Sequence, residues 1–559
     1  ENLNQDMSSE KKYWKSADQL DDQNPVVEAL EQKEFAEHIP TDEFLGDKEK
    51  LDSSQTSRRD FLKYVGFSTA AASLAACEGP VIKSIPYVVQ PERLVPGVAD
   101  YYATTIANGF DFASVLVKTR EGRPIKIDNN TSASNFTAGK ARVHASVLGL
   151  YDIKRLQNPQ IEGRDATWTE FDDRVSQDLK NIGDKSIVLL TQTYASPSVN
   201  RLIKQFKEKY TNVEHIVYDA ISEEAALNAY RNKYGIRALA NYDFSEAETI
   251  VGVGADFLGD WQGGGFDASY AKSRVPNNGK MSKHIQFEAN MTLTGANADQ
   301  RVAVKPSTQN HVLVEIYNQI VGRVSATKLD DETAKKVNSA IKALKKGGKK
   351  SVFVTGIQDE GAQQMALEIN AKLQTELIDY TNPRMIRQGE NSKINTLIAD
   401  MKAGKVGSLM IAGVNPLYSL PNADEFESAM SKVNSTVAFS MKLDETAKVA
   451  KYVAATPHYL ESWGDVQLAK NTFSLVQPTI QPLFNTRQFE DTLLKLIGGS
   501  KYYDFIKETF NQKFEGLSWN QSLHDGIFEY SSNSSEETDE KENEFNASSA
   551  AQSLLSNSA

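Results

Sequence analysis

The chain has 559 residues, with 62 lysines and arginines against 74 aspartates and glutamates, a net charge of −12 and one cysteine. That length calls for three or more domains. The acidity argues against a nucleic-acid partner, which would demand basic patches, and a lone cysteine leaves no intrachain disulfide, CxxC pair or thiolate set for zinc or iron–sulfur. The seven histidines (His38, His144, His215, His284, His311, His458, His524) form no HxxxH or HExxH pair. No run reaches the length and apolarity of a membrane span.

Residues 1–56 are a polar arm with too few apolar residues for a core. A flexible tail and a strap lying along another surface are both consistent with it. Ser57-Arg58-Arg59-Asp60-Phe61-Leu62-Lys63 then matches the twin-arginine export pattern. The mild apolar run that follows ends in Leu74-Ala75-Ala76-Cys77, which fits a lipobox. Residues 57–77 therefore read as a signal-like segment, with Arg58 and Arg59 for targeting and Cys77 as a targeting residue or lipid anchor. Cleavage there would remove the arm, so either the signal stays uncut or the sequence is a precursor.

From 78 to 165 the pattern is β-rich. ASVLVKTREGRPIKIDNN predicts two strands joined at Glu121-Gly122, and ASVLGLYDIKRLQNP a helix ending before Pro159. Trp168 opens an amphipathic helix. From 166 to 334, strands (KSIVLLT, VEHIVYD, AETIVGVGADF, KHIQFEA, QRVAVKP) alternate with helices such as PSVNRLIKQFKEKY. A second round from 335 to 480 holds KKSVFVTG, ELIDY, GSLMIAGVNP and STVAFSM. Such alternation predicts two doubly wound parallel-sheet domains in series, suited to a nucleotide-like cofactor at the strands' carboxyl ends. Residues 481–559 read as helical, with an acidic low-complexity loop over 531–549. Both ends look like cut edges of a longer polypeptide.

The local motifs each admit a plain structural reading. Gly252-Val253-Gly254, with Asp256 and Gly259, resembles a phosphate-cradling turn without the GxGxxG spacing, and tight packing at a strand end is the alternative. Trp261-Gln262-Gly263-Gly264-Gly265 suits close approach of a ligand or backbone, or an exposed turn. Lys345 to Lys350 reads as a solvated turn that can attract an anion. His458 and Glu461 read as a hydrogen-bonded pair with acid–base potential, and Asp444-Glu445 as a helix cap. The tract 536–544 has no EF-hand spacing.

VLVKTREGRPIKIDNN, ASVLGLYDIKRLQNP with WTEF, LTGANADQRVAVKP, NPLYSLPNADEF and DETAKVAKYVAATPHYLESWGD together resemble the molybdopterin oxidoreductases of the dimethyl sulfoxide reductase type, over about residues 80–480. The resemblance implies a multidomain α/β fold around a pterin cofactor. Active members commonly carry a cysteine cluster for a [4Fe-4S] centre and a Cys, selenocysteine, Ser or Asp bound to the metal. No cysteine follows Cys77. In IVYDAISEEAALNAYRNKYG only Asp219 and Ser222 stand where such a ligand is expected. With the Tyr13-Trp14-Lys15-Ser16 arm and the internal twin arginine, the chain is similar to the molybdopterin-like large subunits of alternative complex III from Bacteroidetes.

This narrower resemblance implies a cofactor-free scaffold in a quinol:electron-acceptor oxidoreductase, at the periplasmic face of the inner membrane. Its partners would be polytopic quinol-oxidising membrane subunits, c-type cytochromes and, in some complexes, a cytochrome oxidase. The [4Fe-4S] and [3Fe-4S] clusters would lie in a following C-terminal half. The expectation for this segment is no catalytic, cofactor-binding or metal residue. Two rivals are an active molybdenum-pterin reductase of polysulfide or tetrathionate type using Asp219 or Ser222, and a free-standing lipoprotein that binds a small ligand.

Overall fold

A computed structural model describes residues 98–136, 139–276, 280–531 and 545–556. The arm, Arg58, Arg59, Cys77 and most of the acidic loop lie outside the described residues. Three antiparallel strands come first: β1 (Ala99–Ala107), β2 (Phe112–Arg120) and β3 (Arg123–Asn129). Glu121 and Gly122 both take positive φ between β2 and β3, which gives the tight primed hairpin turn the sequence suggests. The helix expected to run to Pro159 stops at Leu150. Asp152 there accepts the Lys154 amide at 2.8 Å, and Arg155 turns inward to Glu461. This local bond and the buried ion pair outcompete helix propagation.

The remaining strands are β4 (Gln160–Ile161), β5 (Arg164–Asp165), β6 (Ser186–Thr191), β7 (Val213–Val217), β8 (Leu239–Tyr242), β9 (Thr249–Val253), β10 (Lys283–Glu288), β11 (Gln300–Ala303), β12 (Ser351–Thr355) and β13 (Ile378–Arg384). They continue as β14 (Val406–Ala412), β15 (Ser435–Ser440), β16 (Tyr452–Ala455), β17 (Gly464–Ala469), β18 (Thr472–Val476) and β19 (Ile527–Glu529). A seven-stranded sheet runs β5-β4-β16-β15-β14-β6-β7, its last five strands parallel. A four-stranded parallel sheet runs β11-β10-β9-β12. An antiparallel sheet, β19-β18-β17-β13-β8, completes the set.

The two parallel sheets are therefore not in series. β9, β10 and β11 share a sheet with β12, which pairs with β9 across the expected boundary at 334/335, while β6 and β7 join β14 to β16 from the second round. ELIDY enters β13, which pairs antiparallel with β8. Strand–helix alternation specifies parallel sheets but not which sheet each strand enters, because the central strands of both (β6, β14 and β15 in one, β9 and β12 in the other) are alike as apolar runs buried on both faces.

Both sheets are covered on both faces. Val188, Leu190, Leu409 and Ile411 pack on one side of the larger sheet, and Ile187, Leu189, Met410 and Ala412 on the other. The second layer includes α1 (Trp168–Asn181), whose N-cap Thr167 accepts the Glu170 amide, and α2 (Pro197–Lys209), which starts on a proline. α3 (Glu224–Tyr234) ends on Gly235 in the left-handed region. α4 (Pro306–Ile320), α5 (Asp331–Gly347) and α6 (Glu360–Leu373) cover the smaller sheet. α7 (Phe489–Ile497) and α8 (Tyr502–Lys513) close the larger one. α9 (Ala547–Ser556) packs Ala551 and Leu554 into the smaller sheet's core. Among the described residues, no helix is long and apolar enough to cross a membrane.

Candidate functional site

In each parallel sheet the winding reverses once, between β6 and β14 in the larger and between β9 and β12 in the smaller. Reversal sends the next connections to opposite faces and leaves a crevice beyond the strands' carboxyl ends. In the larger sheet that crevice opens into a cavity of about 430 Å³. Gln192 and Gly413, just past β6 and β14, sit at its edge. With its amide oriented so that nitrogen faces the two carbonyls, Gln192 donates to Gly413 O at 3.1 Å and Asn108 O at 2.6 Å, tying the β1–β2 loop across the crevice.

The cavity wall is aromatic and acidic. Tyr194 stacks on Phe489 with ring centroids 5.7 Å apart, and Phe439 meets Phe489 edge-on at 4.9 Å. Trp463, Tyr459 and Tyr502 also line it, as do Asp444, Asp465 and Glu490. Among the described residues, no lysine, arginine or histidine does. Asp465 caps α2, accepting Ser198 Oγ at 2.6 Å, the Ser198 amide and the Ser196 hydroxyl. Burial pushes the Asp465 carboxyl up and takes Glu490 to about 7. Asp444 caps the short helix after β15, as its sequence suggests, accepting the Ala447 amide at 2.8 Å.

Asp219 lies just past β7 and is buried. Its two oxygens take the Thr193 hydroxyl at 2.7 and 2.9 Å, and also accept the Thr193 and Gly389 amides. Burial raises its pKa, with Arg387 opposing. Ser222 is half-buried, and its Oγ accepts the Glu224 amide at 3.2 Å. Asp219 borders a second hollow of about 190 Å³ beside Arg387 and Tyr218. Arg387 donates to Phe110 O at 2.7 Å. Arg384 lies between the Phe136 and Phe266 rings, its pKa lowered to about 9 by burial and by Arg387. Among the described residues, no group of three or more His, Cys, Asp and Glu is placed to hold a metal ion.

In the smaller sheet the matching crevice is filled. A Cβ on Gly356, just past β12, would lie 2.0 Å from Gly254 O, just past β9. Trp261 Nε1 and Gln363 Nε2 donate to Thr355 O at 3.0 and 3.2 Å. The Gly252–Gly254 turn is thus a packing turn, as its alternative reading had it. Gly263 and Gly264 bring their backbone against Ile386 and Lys140.

His458 and Glu461 form the structural pair. The His458 amide donates to Glu461 Oε2 at 2.8 Å, while His458 Nδ1 accepts the Leu460 amide. Burial lowers the His458 pKa to about 4. Glu461 is held by buried Arg155 at 2.5 Å. Lys349 and Lys350 pair with Glu376 and Glu246 at the surface. The residues that sequence reasoning passed over are Glu490, Asp465, Arg384 and Arg387. Glu490 carried a readable sign: it shares the apolar stripe of α7 with Leu493, Leu494 and Ile497, where a carboxylate is out of place.

The structure is similar to acetylene hydratase from Pelobacter acetylenicus, with a TM-score of 0.58 and 11% sequence identity over 77% of this chain and 74% of that one. In sequence, the chain is similar to the menaquinone reductase molybdopterin-binding-like subunit of Nitratidesulfovibrio vulgaris, 21% identical over 516 residues covering 80% of this chain and 74% of the relative. No family model matches the chain.

A phosphate-bearing pterin cofactor is anionic, and the residues here do not fit one. Among the described residues the open crevice offers three carboxyls and no cation, the adjoining hollow offers Arg387, already donating to Phe110 O, the closed crevice is occupied by protein, and both Asp219 oxygens are engaged.

Proposed function

We propose that this chain is a non-catalytic scaffold subunit of a quinone-linked respiratory oxidoreductase of the alternative complex III kind. The observation that carries the reading is the pair of crevices: in a molybdopterin-enzyme-like fold, one is open and acidic and the other is filled by protein. The likeness to a menaquinone reductase subunit supports the link to quinone chemistry and to a multisubunit complex. Electrons would pass from a quinol-oxidising membrane subunit through [4Fe-4S] and [3Fe-4S] clusters on cysteine-bearing polypeptide beside this segment, and on to c-type haems. With one cysteine the chain cannot ligate such a cluster itself. Its part is to hold that wire at the periplasmic face of the inner membrane, reached by way of Arg58, Arg59 and Cys77.

Purification in mild detergent with metal analysis tests this. Haem-bearing and membrane subunits should co-purify, with substoichiometric molybdenum and pterin. Stoichiometric molybdenum would point to an active reductase using Asp219 or Ser222. A chain that emerges alone would point to a free-standing lipoprotein.

A further inference from the structure

The floor of the open crevice has a chemistry that scaffolding does not use. Glu490 is 8% exposed and lines the cavity. Its polar neighbours are the Gln488 amide and its own N–H, and the charges acting on it, Asp491 and Asp465, are both negative. Lys513 acts on Asp465 instead, and Asp465 is already spent on the start of α2. A buried carboxyl without a cation is costly when ionised, and the push of Glu490 to about 7 records that cost. Around it stand Tyr194, Phe489, Phe439, Trp463 and Tyr502. Aromatic faces carry negative charge density and attract cations, and the attraction strengthens where water is excluded. The cavity is of a size that holds small molecules.

We propose that this cavity binds a small organic ammonium ion, with Glu490 accepting the N–H and the surrounding rings enclosing the carbon skeleton. The cation would supply the charge the site lacks. A phosphate-bearing or carboxylate ligand would meet three acidic side chains. The inference goes beyond the electron-transport reading and does not depend on it.

Calorimetric titration of the full chain, in the complex in which it purifies, tests the idea at pH 8 with benzylamine, benzyl alcohol and benzoate. Benzylamine should bind saturably, and neither of the other two should. Glu490→Gln should fold at least as stably as the parent and weaken benzylamine binding about tenfold or more, the worth of one charge-assisted hydrogen bond. Tyr194→Leu removes a ring and no charge, and should weaken binding about threefold to tenfold. Equal binding of benzyl alcohol, a preference for benzoate, undiminished binding by Glu490→Gln, or no benzylamine binding up to about 10 mM would each overturn the assignment. Molybdenum content, which decides the scaffold reading, is unaffected by any of these results.

Discussion

The two parallel sheets pose one topological question and answer it differently. Both reverse their winding once, and both place a glycine just past the strands at that point. At β9 and β12 the backbone at Gly356 presses against Gly254, and Trp261 and Gln363 bind the strand end. At β6 and β14 only the Gln192 side chain crosses, and a cavity remains. Topology makes a crevice, but the side chains past the strand ends decide whether it stays open.

The largest expected effect lies in the buried Arg155–Glu461 pair, whose Glu461 falls in the chain between Tyr459 and Ser462 of the open crevice. Arg155→Met would leave Glu461 buried without its cation, at a cost of about 3–5 kcal/mol, measured by denaturant unfolding. A loss under about 1 kcal/mol would mean that water reaches this pair.

Glu490→Gln comes next, and its effect depends on pH. The folded-state value near 7 lies above the ordinary 4.5, so between those values the folded chain keeps a proton that the unfolded chain has released. Stability should fall as pH rises through that window and level off above it. The substitution should remove most of the fall, worth about 3 kcal/mol. Asp465, also raised by burial, would leave a slope of the same sign. Melting curves from pH 4 to 8 check this, and an unchanged slope would remove Glu490 from the crevice's electrostatics.

The two glycines give the direct contrast. Gly356→Ala drives a Cβ into backbone, so the closed crevice should lose about 2–3 kcal/mol. Gly413→Ala meets only the movable Gln192 side chain and the strain of φ +71°, about 1 kcal/mol. Equal losses in urea unfolding would erase the distinction between a packed and an open strand end.

Much of this was legible in the chain, for identifiable reasons. Apolar runs such as Ile187–Leu190 and Leu409–Ile411 announce buried parallel strands, and Thr167, Ser196 and Gly235 mark helix ends by their own chemistry. Glu121-Gly122 sets its turn locally. Sheet membership was not legible, because β6 and β9 are similar apolar runs in sequence and only long-range pairing separates them. The site was hidden for a related reason. Asp465, Glu490 and Tyr194 lie far apart along the chain, and each is ordinary until the fold brings them around one cavity. Asp219 shows the converse: its position suggested a metal ligand, yet its two oxygens hold loops together.

The pairing of β8 with β13 has a further consequence. Ile378 sits opposite Tyr242, and the Asp243 amide donates to Leu377 O at 2.9 Å, so the stretch from 243 to 377 leaves and returns through one doorway. It carries its own sheet and helices, completed by α9. Such a cassette can be exchanged, shortened or filled in over evolutionary time while the rest of the molecule keeps its register. One crevice can be packed and the other open because each belongs to its own sheet, although Glu223 and Lys140 also bind the inserted stretch from outside.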